Sequence, residues 1–235
     1  MLEREIEFER CFNFRDLGGY AGLGGKRVRW RRLYRSMSPQ WMSEADVRRA
    51  RSELNIGAVI DFRAERAAGS GSLGEPPTRR TVLPLLTSRD LPPGTPTEKV
   101  ALLLTERNGP LYVQAIEFIA GQEAACVFHC QTGKDRTGLQ AAVLLKLLGV
   151  DDADVLEDYM LSSAGFERAL ALWRASDVPV PLSGLAVEPP DRAWLQAMLD
   201  WLETRGGAEA HLLASGASPA LLARFREAML EEATA

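Results

Sequence analysis

One short segment holds two residues whose types and spacing suit covalent chemistry on an anion. Five residues separate Cys130 from Arg136, and Gly133 stands midway between them. An apolar run at 124–128 comes before the segment and another at 139–148 follows it. This pattern predicts a strand, a tight loop and a buried helix. Loop N–H groups that converge at a helix N-terminus bind tetrahedral anions such as phosphate.

Cys130 would lie at the floor of this loop as a nucleophile. A free thiol has a pKa of about 8.5, and a helix N-terminus with nearby cations lowers it to about 3.5–7.5. Lys134, Arg136 and the Thr137 hydroxyl all favour the thiolate here. Attack on a phosphate ester would give a cysteinyl-phosphate, which water then hydrolyses. The Arg136 guanidinium has the planar fork that contacts two phosphate oxygens at once.

The segment 129–138 resembles the phosphate-binding loop of the protein tyrosine phosphatase superfamily. Its Gly-Lys-Asp-Arg sequence is similar to an atypical bacterial branch of that superfamily. Further segments resemble the same branch, and together they extend over about residues 11–230: 13–20, 33–36, 59–63, 157–162 and 206–230. The resemblance implies a protein tyrosine phosphatase or dual-specificity phosphatase that acts on phosphotyrosine, and in some members on phosphoserine, phosphothreonine or phosphoinositides.

The resemblance also implies a fold and a set of site residues. We expect one α/β domain over residues 1–235, with a three-layer fold: a central, mostly parallel sheet with helices on both faces. A helical cover over the site is expected within residues 95–122. The expected phosphate-binding residues are Gln131, Thr132, Gly133, Lys134, Asp135 and Arg136. The expected supporting residues are His129, Thr137, Arg15, Asp16 and Arg63.

Three aspartates compete for the role of general acid, because the chain has no recognisable Trp-Pro-Asp loop before the cysteine. Asp135 is the first choice, Asp61 at a predicted strand end is the second, and Asp90 in a proline-rich loop is the third. Lys134 has two readings. It either adds a second cation for a substrate with more than one phosphate, or it pairs with Asp135.

Two other functions fit the same segment less well. A rhodanese-like sulfurtransferase also uses a cysteine in a strand–loop–helix cup, but it usually lacks the Gly-Lys-Asp-Arg-Thr-Gly run found here. A catalytically idle module would use the cup only to dock a phosphorylated partner. The presence of both the nucleophile and the arginine argues against the second alternative.

Composition restricts the remaining possibilities. The 235 residues are 46% apolar and 26% charged, as in an ordinary globular protein. A net charge of −4 gives no argument for nucleic-acid or membrane binding. The basic run at 26–35 is expected to be a solvated edge strand, and a lipid-facing surface is the alternative. Oligomeric state cannot be read from the sequence.

Three cysteines are an odd number for a disulfide framework, which favours a reducing cytoplasm. Cys11 is expected to be a small buried hydrophobe, and a redox partner for Cys130 is the alternative. We see no signal peptide, no apolar stretch that would span a membrane, and no His/Cys spacing of a zinc site. We therefore expect no metal and no cofactor.

Overall fold

The computed structural model describes residues 4–64, 72–175 and 188–233. In chain order the strands there are β1 (Arg15–Asp16), β2 (Lys26–Val28), β3 (Leu33–Ser36), β4 (Ile56–Asp61), β5 (Arg79–Val82), β6 (Ala125–His129) and β7 (Leu230–Glu232). The α-helices are α1 (Glu44–Ser52), α2 (Thr97–Ala120), α3 (Asp135–Leu147), α4 (Asp152–Met160), α5 (Ser162–Arg174), α6 (Arg192–Glu203), α7 (Gly207–Ala214) and α8 (Pro219–Met229).

Five strands form the central sheet in the order β1-β3-β6-β4-β5. Only the β1–β3 pairing in this sheet is antiparallel. In the parallel part, His129 at the end of β6 is in register with Ser36 of β3 and with Asp61 of β4. The carboxyl ends of these three strands therefore meet at one edge of the sheet, where ligands of α/β folds bind.

The central strand β6 is buried on both faces, because each face of the sheet is covered by helices. Cys126 and Phe128 belong to a large core that includes side chains of α2, α3, α4, α6, α7 and α8. Val127 belongs to a second core, shared with α1, α5 and the N-terminal segment. This arrangement confirms the predicted three-layer α/β fold.

Helix α3 begins directly after the predicted phosphate loop and is buried along most of its length. Its end is marked by Gly149, whose φ of 84° is the left-handed conformation that terminates helices. Asp151 then caps α4 by accepting a hydrogen bond from the Asp154 amide. The short connection between these two helix ends places α3 and α4 next to each other.

Helix α2 is one continuous helix in the region where a helical cover is expected. Pro110 lies inside it. The preceding Asn108 is fully buried, and its amide bonds both backbone groups of Leu86. These two hydrogen bonds tie the helix, just before Pro110, to the chain at Leu86. The helix packs against α6, α7 and α8, and its role as a cover over the site stays a prediction.

The basic run at 26–35 is not a single edge strand, so that expectation was wrong. β2 pairs with β7 in a separate two-stranded sheet, whereas β3 lies inside the main sheet between β1 and β6. Lys26 pairs with Glu232 and Arg27 with Glu231. These ion pairs neutralise much of the run, which disfavours a lipid-facing surface. Within the described ranges, no helix has the length and apolar character needed to cross a bilayer.

Candidate active site

The loop after β6 is held in place by hydrogen bonds to its backbone carbonyl groups. Five consecutive carbonyls, those of residues 130–134, accept hydrogen bonds from the surrounding protein. Their donors, in order, are His129 Nδ1 at 3.0 Å, the Ser38 amide at 3.1 Å, Asn13 Nδ2 at 3.1 Å, Arg35 Nη2 at 2.9 Å and the Gly138 amide at 2.7 Å. In a planar trans peptide the N–H points opposite to the C=O. The amides of residues 131–135 therefore face away from these partners, toward the inside of the loop, where that of Lys134 donates to Thr132 Oγ1 at 3.3 Å.

Two buried arginines hold this geometry through one carboxylate. Arg15 Nε and Arg35 Nη1 bind the two oxygens of Asp158 at 2.9 and 2.6 Å, and all three side chains are 1% exposed. Arg35 also donates to the carbonyl of Gly133. Arg15 donates to Asn13 Oδ1, and Asn13 in turn donates to the carbonyl of Thr132. Burial opposes ionisation of Asp158, but the two arginines hold its pKa below the ordinary value.

Glycine is required where the loop lies against the end of β3. Gly133 has a φ of 71°, and a Cβ atom there would come within 2.5 Å of the Ser36 backbone. Gly138, in the first turn of α3, has a similar constraint. A Cβ atom there would meet the Tyr159 ring at 2.9 Å. These two glycines let the loop and α3 approach β3 and α4 closely enough for Arg35 to reach the loop.

Cys130 follows β6 and is 2% exposed, within the same large core as α3. Burial alone would raise the pKa of its thiol. The Arg136 guanidinium, together with the hydroxyl and amide of Thr137, outweighs burial and lowers that pKa. The N-terminus of α3 supplies a favourable dipole as well. The thiolate is therefore more favoured here than in an ordinary cysteine.

Arg136 stands on the rim of the loop. Its Nη1 donates to the carbonyl of Phe62, directly after β4, at 2.9 Å. A guanidinium has five N–H donors, so this one bond anchors the side chain and leaves donors for an anion in the loop. The structure thus brings Cys130, Arg136, Thr137 and the inward amides of Gln131, Thr132 and Gly133 around one point.

Asp135 is the first residue of α3, and its side chain is 21% exposed. Burial raises the pKa of its carboxyl, and the Lys134 ammonium at 3.4 Å from Oδ1 opposes that rise. The pKa lies above its ordinary value. A raised pKa at the rim of the loop is what a proton donor to a leaving group needs.

Asp61 lies on the opposite face of the sheet from Cys130, with Arg63 and His129. Arg63 donates to both of its oxygens, at 2.9 and 2.8 Å, and Arg80 lies 3.3 Å away. Burial opposes ionisation, yet His129 and Arg63 lower the pKa of Asp61 to about 2. A carboxylate that stays ionised carries no proton to donate. The structure therefore disfavours Asp61 as a general acid and makes it an anchor for Arg63.

His129 sits on that same face, because neighbouring residues of a strand point to opposite sides. Its Nδ1 donates to the Cys130 carbonyl. Burial lowers the pKa of His129 to about 4, so the ring is neutral at physiological pH. His129 supports the loop from beneath.

Two further aspartates, the expected supporting residue Asp16 and the third general-acid candidate Asp90, bind backbone groups outside the loop. Asp16 accepts from the amides of Gly18 and Arg31, at 2.8 and 2.7 Å. Asp90 accepts from the amide and hydroxyl of Thr87. Asp90 is thereby committed to capping a short turn, which disfavours it as a general acid.

Cys11 lies in the second core, and burial raises the pKa of its thiol, as expected of a buried hydrophobe.

Sequence reasoning gave no role to Arg35, Asp158 or Asn13, which bind the loop or its supports. One signal was present: Arg35 is a charged residue in a strand whose neighbours Leu33 and Tyr34 are apolar. A charge is fully buried only when it is paired. Its partner Asp158 is 123 residues away in sequence, so the pairing itself was not visible.

Comparison with known proteins gives a consistent family assignment. Residues 6–231 match the tyrosine phosphatase family. A protein from Cupriavidus necator, provisionally named a tyrosine-protein phosphatase, is 36% identical over 174 residues, which is 68% of this chain and 63% of that protein. A tyrosine-protein phosphatase from Nostoc commune is 44% identical over 55 residues, or 23% of this chain and 19% of that protein. The chain thus spans less than two thirds of the length of either relative.

Among solved structures, the chain is similar to TpbA from P. aeruginosa in complex with pTyr. The TM-score is 0.39 with 22% identity, and the match covers 65% of this chain and 85% of that one.

The electrostatics of the loop predict selective alkylation. At about pH 6.5, two units below the pKa of an ordinary thiol, iodoacetamide should modify Cys130 and leave Cys11 and Cys126 intact. Burial raises the pKa of both other thiols. The isosteric variant Thr137→Val removes the hydroxyl that lowers the pKa of the Cys130 thiol, and it should raise the alkylation pKa by about one unit. Peptide mass spectrometry across a pH series measures both effects. Alkylation of Cys130 that titrates near 8.5 in the unmodified protein would contradict this account.

Proposed function

Because the chain belongs to the tyrosine phosphatase family, we propose that it is a cysteine-dependent phosphatase that hydrolyses phosphate monoesters, phosphotyrosine first among them. One observation supports the proposal above all others. A thiol with a lowered pKa lies inside a loop whose carbonyls are all bonded outward. Such a loop offers its amides and Arg136 to a phosphate dianion, and it offers the thiolate to the phosphorus.

The first chemical step transfers the phosphoryl group to sulfur. The Cys130 thiolate attacks phosphorus, so an S–P bond forms while the bond from phosphorus to the ester oxygen breaks. Asp135 gives its proton to that oxygen, which leaves as a phenol. The three equatorial oxygens of the transition state are received by the loop amides and Arg136.

The second step returns the enzyme to its starting state. Water attacks the phosphorus of the cysteinyl-phosphate, the Asp135 carboxylate takes the proton of the water, and the S–P bond breaks. Inorganic phosphate and the Cys130 thiolate are released. Every proton and electron pair is accounted for by these two side chains and water, so the cycle requires no further group.

The substrate class is proposed as a phosphorylated protein. Phosphoserine, phosphothreonine and phosphoinositides remain alternatives that a phosphate-release screen separates. A nucleophile that must stay reduced works in a reducing compartment, so we place the protein in the cytoplasm. The rival function is a phosphate-docking module without turnover, and a rhodanese-like sulfurtransferase is disfavoured by the family match.

Replacing the nucleophile tests the proposal. Cys130→Ser should lower turnover of p-nitrophenyl phosphate by about 10³-fold or more, because a neutral hydroxyl is a far weaker nucleophile. Binding of inorganic phosphate, measured by calorimetry, should persist. Cys126→Ala, on the same strand and away from the loop, is the control and should keep its activity. Turnover by Cys130→Ser above a few per cent of that of the unmodified protein would refute the mechanism, and no turnover by the unmodified protein would favour the docking module.

The role of Asp135 is tested by the leaving group. An acid matters most when the departing oxygen is strongly basic, so Asp135→Asn should lower kcat for phosphotyrosine by about 10²-fold. For a fluorinated coumarin phosphate the loss should stay under about tenfold. The variant should also lose the alkaline limb of the kcat pH profile, which reports loss of the proton as pH rises through the pKa of Asp135. Equal losses for both substrates would remove Asp135 from the acid role.

A further inference from the structure

Lys134 is the one residue of the loop whose long charged side chain is buried. The residue is 1% exposed, although it lies between Gly133 and Asp135 at the mouth of the site. Its ammonium donates to the carbonyl of Glu188, just before α6. It also lies 4.9 Å from the centre of the Phe166 ring in α5 and 3.4 Å from Asp135 Oδ1. The side chain is therefore surrounded by three groups of this chain.

These contacts have an energetic consequence. A buried ammonium is tolerated only where acceptors replace its water shell, and here a carbonyl, a carboxylate and an aromatic face do so. A cation over an aromatic face is attracted more strongly when both are out of water, as here. For Lys134 to reach a substrate phosphate, the ammonium would have to leave all three groups at once. The described contacts thus commit this cation to the protein.

The same contacts orient Asp135. The ammonium faces Oδ1, so a proton on the carboxyl is carried by Oδ2. It also opposes the effect of burial, which raises the pKa of Asp135. Lys134 therefore fixes which oxygen holds the proton and how tightly the proton is held.

The other cations near the loop are committed as well. Arg15 and Arg35 share Asp158, and Arg63 is bound to Asp61 on the far face of the sheet. Among these cations, the Arg136 guanidinium is held at the rim of the loop by one bond, to the Phe62 carbonyl.

We propose that Lys134 is a positioning residue for Asp135 and does not bind substrate, so that the loop recognises a single phosphate group. This inference rests on the proposed function, since positioning matters only if Asp135 is the acid. It opposes the alternative in which Lys134 supplies a second cation for a substrate that bears several phosphates.

The kinetic test uses Lys134→Met, which keeps the length of the side chain and removes its charge. We expect kcat for phosphotyrosine to fall by about tenfold, kcat for the fluorinated coumarin phosphate to change by less than about threefold, and KM for both to hold. The alkaline limb of the kcat profile should move to higher pH, because the ammonium no longer lowers the pKa of Asp135. Lys146→Met, at the far end of α3, is the matched control and should leave all of these values unchanged.

The binding test compares two competitive inhibitors, inorganic phosphate and inositol trisphosphate. If Lys134 does not bind substrate, Lys134→Met should change both inhibition constants by the same factor, within about twofold. Failure of inositol trisphosphate to inhibit the unmodified protein more tightly than inorganic phosphate also supports the proposal. A selective loss of about tenfold or more for inositol trisphosphate, equal to about 1.4 kcal/mol, would show a second phosphate on Lys134 and overturn it.

The outcomes separate this inference from the proposed function. If Asp135→Asn shows the leaving-group dependence and Lys134→Met shows equal losses for both substrates, only the positioning role is wrong. If Asp135→Asn also shows equal losses, the acid assignment itself fails. Should Lys134→Met not fold, Phe166→Leu can be used instead. It removes the aromatic ring that the Lys134 ammonium contacts and keeps the charge of Lys134. It should give a smaller loss with the same leaving-group dependence, and equal losses there would count against the proposal.

Discussion

The buried contact between Asp158 and the guanidinium groups of Arg15 and Arg35 is the constraint on which the site depends. It joins β1, β3 and α4 at the point where the phosphate loop passes over them. From this junction, Arg35 and Asn13 hold two carbonyls of the loop. The amides face inward only because those carbonyls face outward. The anion binding that we propose for the loop therefore depends on an ion pair that lies beneath it.

The buried cluster of Arg15, Arg35 and Asp158 has a desolvation cost. Buried ion pairs add little net stability, because desolvation offsets most of the attraction, whereas removing one partner costs about 3–5 kcal/mol. Two arginines with one aspartate also leave an excess positive charge close to the sulfur. The Cys130 charge raises the pKa of Arg35 in return, although burial lowers that pKa to about 10 overall. The thiolate and the buried Arg35 guanidinium thus stabilise one another.

The sequence predicted the parts of the site that are local. The spacing of Cys130 and Arg136, with apolar runs on both sides, located the strand, the loop and the helix. It did not predict that β3 lies inside the sheet, because its neighbour β1 has only two residues. Nor did it predict the direction of Lys134, since Phe166 and Glu188 lie far along the chain. The basic run at 26–35 was misjudged for the same reason, as its acidic partners are at 231 and 232.

Arg35 shapes the loop by bridging Asp158 and the Gly133 carbonyl. The most direct measurement is inhibition by inorganic phosphate in Arg35→Lys, with folding checked by thermal unfolding. A lysine keeps the charge opposite Asp158 but lacks the second donor arm that reaches the loop. Our account predicts a folded protein whose inhibition constant for phosphate rises about tenfold or more, because the Gly133–Lys134 peptide is free to turn its amide away. A folded variant with unchanged phosphate inhibition would contradict it.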